Sequence, residues 1–579
     1  MRGCLKLLAK ISAALLLLFV IFLYVYVIWP QWGIPFNEQR RGTPPLTPAW
    51  ALEPWLWEDD HKTAAFMTEM LDGCVEHDIP VRAYLVDAPW AMHNNDFVID
   101  ESRYPNPKEF FKGIKDRGIR LAFWMTPTVN SYNKETPGTN AQLFYETARN
   151  NGYLVGNGNQ VRWWRGKGGL IDYTNPEAMK WWRGMQQNMF DLGIDAWKLD
   201  GVAAYFMSTP IWKIPAFYQG THAGILTTRQ YMDLYYGEEY QHGLTQNPEF
   251  VTISRSIDSP YFLIHYEGFA PVQASPLNWV GDNRHTWSFA ERGLERAIWC
   301  ILRSAKLGYS LPGSDVGGYH GGMKIQPELY IRWAQFSVFS GFFLNGGHGE
   351  RRLWKRTEAE LKLIRKAHWL RTELVPYIYC YVVRANQGDR TLMLPIEGKY
   401  QYLFGDFLCV APIYEDSLTR EVTLPEGQWR YWYDDTKVIE GNTTFTRNYP
   451  LDEFPVYVKE GAIIPMKISR AYTGIGDESW ADYLTLNIYP ADKSSFTVYP
   501  TDKSSAMEVT VETTDIISIA LDGLVVPHLL RVLTKNHPAR ILCNNRPLEQ
   551  DAWEYDAEKQ RLIVKNTTFS ATNYQIFFE

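Results

Sequence analysis

From about residue 79 the chain alternates short apolar runs with longer segments of helical period. The runs are residues 81–87 (VRAYLVD), 119–125 (IRLAFWM), 196–200, 251–254, 277–282, 309–315 and 342–345. Strands alternating with helices build a parallel sheet. About seven such units across roughly 300 residues predict an α/β fold, a (β/α)₈ TIM barrel over residues 79–385. A doubly wound open sheet competes, but no glycine-rich phosphate loop supports it. After Tyr379 the texture changes to short alternating strands broken by Gly, Pro, Asn and Asp. This pattern predicts two small all-β sandwiches, one over 386–467 and one over 468–579.

The first thirty residues differ in kind. Arg2, Lys6 and Lys10 precede an uncharged stretch, residues 11–29, that ends in Tyr24, Tyr26 and Trp29. At 1.5 Å rise per residue it nearly spans a hydrocarbon core of about 30 Å, with an aromatic belt at the far end. The positive flank predicts a cytoplasmic tail (1–10), a transmembrane signal anchor (11–29) and an exported body. A cleaved signal peptide is the alternative, although no small-x-small site follows the apolar run. Residues 30–78 read as a linker and lead-in to the barrel.

Composition narrows the function classes. A hydrophobic content of 46% and a charged content of 21% describe a globular body. Net charge is −7, with no basic run beyond the N-terminus, so nucleic acid is not an expected partner. The six cysteines (Cys4, Cys74, Cys300, Cys380, Cys409 and Cys543) show neither zinc-type spacing nor a disulfide framework. Neither a metal nor an organic cofactor is signalled. Asn442-Thr-Thr and Asn566-Thr-Thr fit the glycosylation acceptor pattern. The 23 tryptophans serve core packing first, and also suit a sugar-binding cleft.

Candidate chemistry gathers where the runs end: Asp87, Asp200, Asp282, Asp315 and His348. That is the C-terminal face, where barrel enzymes keep their catalytic groups. Trp197-Lys198-Leu199-Asp200-Gly201 and Trp279-Val280-Gly281-Asp282 each end a run on an aspartate beside glycine and tryptophan. Two carboxylates from different strands are what cleaving a glycosidic bond requires. A gap of about 5–5.5 Å between them gives retention and about 6.5–9.5 Å gives inversion. Lys198 lies two positions before Asp200, on the same face of a strand, where its charge would keep the aspartate ionised. Asp282 lies among Trp279, Gly281 and Trp287, an apolar setting that suits a general acid. The bland alternative for each aspartate is a helix cap or a surface ion pair.

Taken in order, longer strings carry a resemblance. These are Ile79-Pro80 with Leu85-Val86-Asp87 and Trp90, then Arg103-Tyr-Pro-Asn-Pro107 followed by Gly118-Ile-Arg-Leu-Ala-Phe-Trp-Met-Thr-Pro127. Leu170-Ile-Asp-Tyr-Thr-Asn-Pro176, Asp195-Ala-Trp-Lys-Leu-Asp200, Trp279-Val-Gly-Asp282 and Gly313-Ser-Asp315-Val-Gly-Gly318 come next. Glu328-Leu-Tyr-Ile-Arg-Trp-Ala-Gln335 and Leu370-Arg-Thr-Glu-Leu-Val-Pro-Tyr377 complete the series. From about 79 to 490 the chain resembles glycoside hydrolase family 31, the α-glucosidase and α-xylosidase family.

The resemblance implies a retaining, exo-acting α-glycosidase for an oligosaccharide or glycoconjugate, without a cofactor. Asp200 would be the nucleophile and Asp282 the acid/base. Asp87 and His348 would contact the terminal sugar. Trp124, Trp197, Lys198 and Trp279 would shape the pocket. Arg255 is either a wall residue or a structural ion pair, and Asp172 and Asp315 either touch sugar or brace loops. Two departures stand out. Residues 30–78 are too few for the large β-sandwich that normally precedes the family's barrel. Gly201 and Val202 follow Asp200 where many α-glucosidases of the family carry a glutamate, so galactose and xylose stay open beside glucose. A transglycosylase and a non-catalytic carbohydrate-binding protein on the same scaffold are the alternatives.

Overall fold

The computed structural model describes residues 2–28, 42–135, 140–200, 218–257, 270–322, 324–500 and 506–578. Trp29, the first part of the expected linker (30–41) and the Gly201–Val202 pair lie outside the described residues. Eight strands form the barrel: β1 (Trp55–Leu56), β2 (Ala83–Val86), β3 (Arg120–Met125), β4 (Ala196–Leu199), β5 (Val251–Arg255), β6 (Leu277–Trp279), β7 (Pro312–Asp315) and β8 (Phe342–Asn345). They close in chain order, β8 returning to β1. The registered pairs are parallel, for example Trp124 with Lys198 across β3 and β4, and Ile253 with Lys198 across β5 and β4. Residues of β2, β4 and β5 are buried without exception, as expected for strands covered on both faces.

The barrel begins earlier than residue 79. β1 lies inside the stretch read as lead-in, and two residues are too few to show any strand period. Helices cover the barrel between strands, among them Ala64–Glu76, Pro107–Asp116, Pro176–Asp191, Thr228–Gln246, Leu294–Lys306 and Pro327–Val338. A three-stranded antiparallel sheet (Thr128–Asn133, Val161–Trp163, Gly166–Leu170) is inserted after β3.

The Asp172-Tyr-Thr-Asn-Pro176 string has a structural explanation. Asn175 caps the helix Pro176–Asp191, accepting from the backbone N–H of Glu177 at 3.0 Å, and Pro176 fills the first helical turn. Asp172 accepts from the Thr174 hydroxyl at 2.6 Å and from the His222 backbone N–H at 2.7 Å. Tyr173 donates to Glu239 at 2.6 Å. Glu239 is fully buried and also accepts from Trp182, Arg183 and Gln186. Burial opposes its charge, but Arg183 and the neutral donors outweigh that and hold its pKa below the ordinary glutamate value.

The chain divides into two compact units, one centred on Leu85–Ser275 with β3–β5, the other holding β1, β6–β8 and Pro276–Glu579. In the second unit a six-stranded sheet running from Met393–Pro395 to Val456–Lys459 packs its core on Cys409, Val422, Trp429 and Tyr457. The next sheet starts at Ile463–Met466, which pairs with Leu484–Ile488. The junction therefore lies at residues 460–462, not at 467. Only a short turn separates Val456–Lys459 from Ile463–Met466, with Gly461 at φ +84°.

At the N-terminus Leu5–Val25 is a helix long and apolar enough to cross a membrane, with a mean hydropathy of 2.5.

Within the second unit Arg371 ties the lead-in to the barrel. It is fully buried and donates to the carbonyls of Leu52 (2.7 Å), Val338 (3.2 Å), Ser340 (2.5 Å) and Gly341 (2.7 Å). Arg371→Met leaves four buried carbonyls short of a donor, so thermal unfolding of the solubilised chain is expected to show a loss of about 3 kcal/mol or more. A change below about 0.5 kcal/mol would contradict this account of the clamp.

Candidate active site

At the end of β4, Asp200 is 8% exposed. Its Oδ1 accepts from Arg255 Nη2 at 2.9 Å and Nε at 3.1 Å, and its Oδ2 accepts from Trp124 Nε1 at 3.1 Å. Its backbone is held as firmly. The N–H donates to Met125 carbonyl at 3.0 Å, and Tyr235 donates to the Asp200 carbonyl at 3.1 Å. A buried carboxylate keeps its charge where a guanidinium pairs with it. Arg255 is thus an ion-pair partner of the central aspartate.

Lys198 reaches elsewhere. It shares the strand face of Asp200, but its Nζ donates to Asp87 Oδ2 at 2.8 Å. Asp87, at the end of β2, also accepts from the Ala88 N–H at 2.8 Å. Asp200 takes its hydrogen bonds from Arg255, of β5, and the Lys198 ammonium hydrogen-bonds Asp87 instead. The period along a strand indicates which face a side chain takes, not which neighbouring strand it meets.

Trp197 points the other way. It is fully buried and packs on Phe190 of the helix Pro176–Asp191, with ring centroids 6.1 Å apart, and on Phe97 at 5.7 Å. It belongs to the strand–helix layer and does not form a pocket wall, because successive strand residues alternate faces. Trp124 is supported by the inserted sheet. Trp163 stacks on it at 6.2 Å and Arg165 lies over its ring at 5.1 Å.

In the other unit Asp282 is half-buried, three residues past β6. Gly281 adopts φ +81°, a turn that glycine makes without steric cost. The Asn283 carbonyl accepts from the N–H groups of Tyr319 (2.8 Å) and His320 (3.1 Å), tying this loop to the one after β7. Burial pushes the His320 pKa down, and the negative charge of Asp282 opposes that shift. Trp279 is fully buried in β6.

Asp315, at the end of β7, is 1% exposed and accepts from Trp57 Nε1 at 3.0 Å. The buried Arg351 attracts it electrostatically while donating to the Gly318 and His348 carbonyls. Asp315 braces the loops after β1, β7 and β8, and Asp172 braces the helix start described above.

His348, three residues past β8, meets two carboxylates absent from the sequence reading. Its Nε2 lies 2.9 Å from Asp59 Oδ2 and its Nδ1 lies 2.7 Å from Asp60 Oδ1. Tyr319 donates to Asp59 at 2.7 Å. The hydrogen bond to Asp59 raises the imidazole pKa, burial opposes this, and Asp60 adds to the rise, leaving it at about 9. The Glu58-Asp59-Asp60 run directly after an apolar Trp-Leu-Trp was the available signal. Among the described residues no group of three or more His, Cys, Asp or Glu side chains is arranged to hold a metal ion.

Residues 44–381 match the TIM-barrel domain of glycosyl hydrolases family 31, and residues 383–464 match the C-terminal domain of that family. The chain belongs to glycosyl hydrolase family 31. It is 26% identical over 452 residues to an alpha-xylosidase of Emericella nidulans, covering 73% of this chain and 54% of the relative. It is 26% identical over 476 residues to alpha-glucosidase 2 of Bacillus thermoamyloliquefaciens, covering 78% and 57%. The chain spans about half the length of these curated relatives. A family 31 dextranase of Flavobacterium johnsoniae, solved with isomaltotriose, shares the fold at TM-score 0.80 and 21% identity, covering 94% of this chain and 73% of the other. A cycloalternan-forming enzyme of Listeria monocytogenes does so at TM-score 0.80 and 21% identity, covering 93% and 55%.

The His348 pair makes a pH prediction. Its folded pKa of about 9 exceeds the ordinary 6.5. The stability it contributes is therefore complete below pH 6.5 and is lost as pH rises through about 9. A ¹⁵N-histidine titration should place the His348 transition near pH 9 in the native chain and closer to 6.5 after Asp59→Asn. Identical transitions in the two chains would refute the role given to Asp59.

Proposed function

We propose that this chain is a retaining, exo-acting α-glycosidase that removes terminal α-linked sugars from oligosaccharides or glycoconjugates. The observation that carries the reading is Asp200. It is a buried carboxylate at the C-terminal end of a barrel strand, with Arg255 and Trp124 on its two oxygens, in a family 31 barrel. In the first step an Asp200 oxygen attacks the anomeric carbon and forms an ester bond. The bond to the leaving oxygen breaks, and that oxygen takes the Asp282 proton. In the second step the Asp282 carboxylate takes a proton from water. The water oxygen attacks the same carbon, the ester opens, and Asp200 regains its charge.

Arg255 and Trp124 orient the nucleophile and disperse its charge. Asp87, fixed by Lys198, and His348, fixed by Asp59 and Asp60, are assigned to the hydroxyls of the terminal sugar. Glucose, galactose and xylose all remain compatible with this set. A related sequence from Sporosarcina globispora, 23% identical over 514 residues, is an isomaltosyltransferase, which keeps transfer to a sugar acceptor as a second reading. The helix Leu5–Val25 and its basic flank support a signal anchor with a cytoplasmic N-terminus and an exported catalytic body.

Asp200→Ala is expected to lower turnover of activated aryl α-glycosides at least about 10⁴-fold while the chain stays folded, by circular dichroism, at a lower unfolding temperature because Arg255 loses its partner. Added azide should restore part of the rate and yield the β-glycosyl azide. Full activity in this variant would remove Asp200 as nucleophile. Asp282→Ala is expected to slow substrates with poor leaving groups far more than those with good ones, since only the former need a proton. Equal slowing of both would reassign the acid.

A further inference from the structure

A cleft of about 440 Å³ opens on the distal β-domain, between the 471–480 segment and the strands Trp553–Asp556 and Arg561–Asn566. Its volume lies in the range of small-molecule sites, about 300–1,000 Å³. Three cations (Arg531, Lys559, Arg561) and three carboxylates (Asp477, Glu554, Asp556) line it. Lys559 and Asp556 stand 3.9 Å apart, so the opposite charges interleave and do not segregate.

The floor is built, not incidental. The Arg561 side chain is 1% exposed. One guanidinium nitrogen pairs with Asp435, which also accepts from Tyr489 at 2.8 Å, and the guanidinium lies over the Tyr489 ring at 4.8 Å. Its Nε and Nη1 have no acceptor among the described residues. Arg531 beside it donates to Asn487 at 2.8 Å. Two aromatic rings complete the walls. Trp480 is held against Gly476, where an added Cβ would come within 2.3 Å of the ring. Tyr555 is anchored by its hydroxyl to the Thr534 and Lys535 carbonyls, both at 3.0 Å.

The charge balance selects the ligand class. An anion would be repelled by the three carboxylates, and a cation by the guanidinium pair. A polyhydroxylated neutral molecule uses both, because each hydroxyl accepts from an arginine and donates to a carboxylate. A sugar ring also presents an apolar face to an aromatic wall. We propose that this cleft is a second saccharide-binding site, which holds an oligosaccharide by its hydroxyl groups on the distal β-domain.

The test is calorimetric titration of the detergent-solubilised full chain carrying Asp200→Ala, so that bound sugar is not turned over. The ligands are isomaltotriose, maltotriose, melibiose and isoprimeverose. At least one is expected to show a binding component that weakens about tenfold on adding Arg561→Met, the loss of one charge-assisted hydrogen bond. The exposed substitution Glu554→Ala should weaken the same component, and it keeps the test decisive if the Arg561 variant fails to fold. Binding unchanged by Glu554→Ala and any folded Arg561 variant, for every ligand, would overturn the proposal. Displacement of the sugar by millimolar sulfate would overturn it in favour of an anion site. Glu554→Ala alone should leave aryl glycoside turnover unchanged. If the native chain turns over no aryl glycoside, that counts against the catalytic reading only, since the binding measurement does not depend on it.

Discussion

A carboxylate taken out of water must be paired, and this requirement organises the strand ends of this barrel. Moving an unpaired ion into the protein interior costs several kcal/mol. Asp200 and Asp87 are both nearly buried, and each has its own cation, Arg255 from β5 and Lys198 from β4. Arg255 comes from the adjacent strand and Lys198 reaches past β3 to Asp87, so the charges are balanced only when β2, β4 and β5 hold their places. The chemistry proposed for Asp200 depends on the same arrangement: a nucleophile must be ionised, and here the pairing that makes burial tolerable also keeps it so.

The same physics recurs away from the strand ends, with arginine in the leading part. Arg371 and Arg351 are buried and spend their fixed fork of donors on loop carbonyls. Arg351 holds the loops after β7 and β8 through Val316, Gly318 and His348. Glu239 reverses the pattern, with one buried carboxylate gathering Tyr173, Trp182, Arg183 and Gln186. Such hubs make the loops that carry Asp172, Asp315 and His348 parts of the framework and not free connections. His348 is the most constrained of the three, its two ring nitrogens each facing a carboxylate.

Much of the fold was legible because its signals are local. Seven of the eight barrel strands are apolar runs, and their polar ends mark where each strand stops. β1 escaped because two residues carry no periodicity, and closure of the barrel required it nonetheless. The junction of the β-sheets was misplaced by a few residues, since which sheet Ile463–Met466 joins depends on its pairing with Leu484–Ile488 and not on any local pattern. Trp197 and Lys198 show the complementary failure. The strand period assigned Lys198 to the face of Asp200, but could not show that its ammonium hydrogen-bonds Asp87. The family resemblance assigned Trp197 to the pocket, whereas strand alternation places it against Phe190.

By itself the sequence determined the class of fold, the family and the positions where charged groups end the strands. Those follow from hydrophobic period, turn residues and ordered strings, all of which are properties of neighbours in the chain. Tertiary structure alone decided the pairings: Arg255 on Asp200, Lys198 on Asp87, Asp59 and Asp60 on His348, Trp57 on Asp315. Each joins residues dozens to hundreds of positions apart. Such contacts are set by strand register and loop packing, which no local pattern encodes.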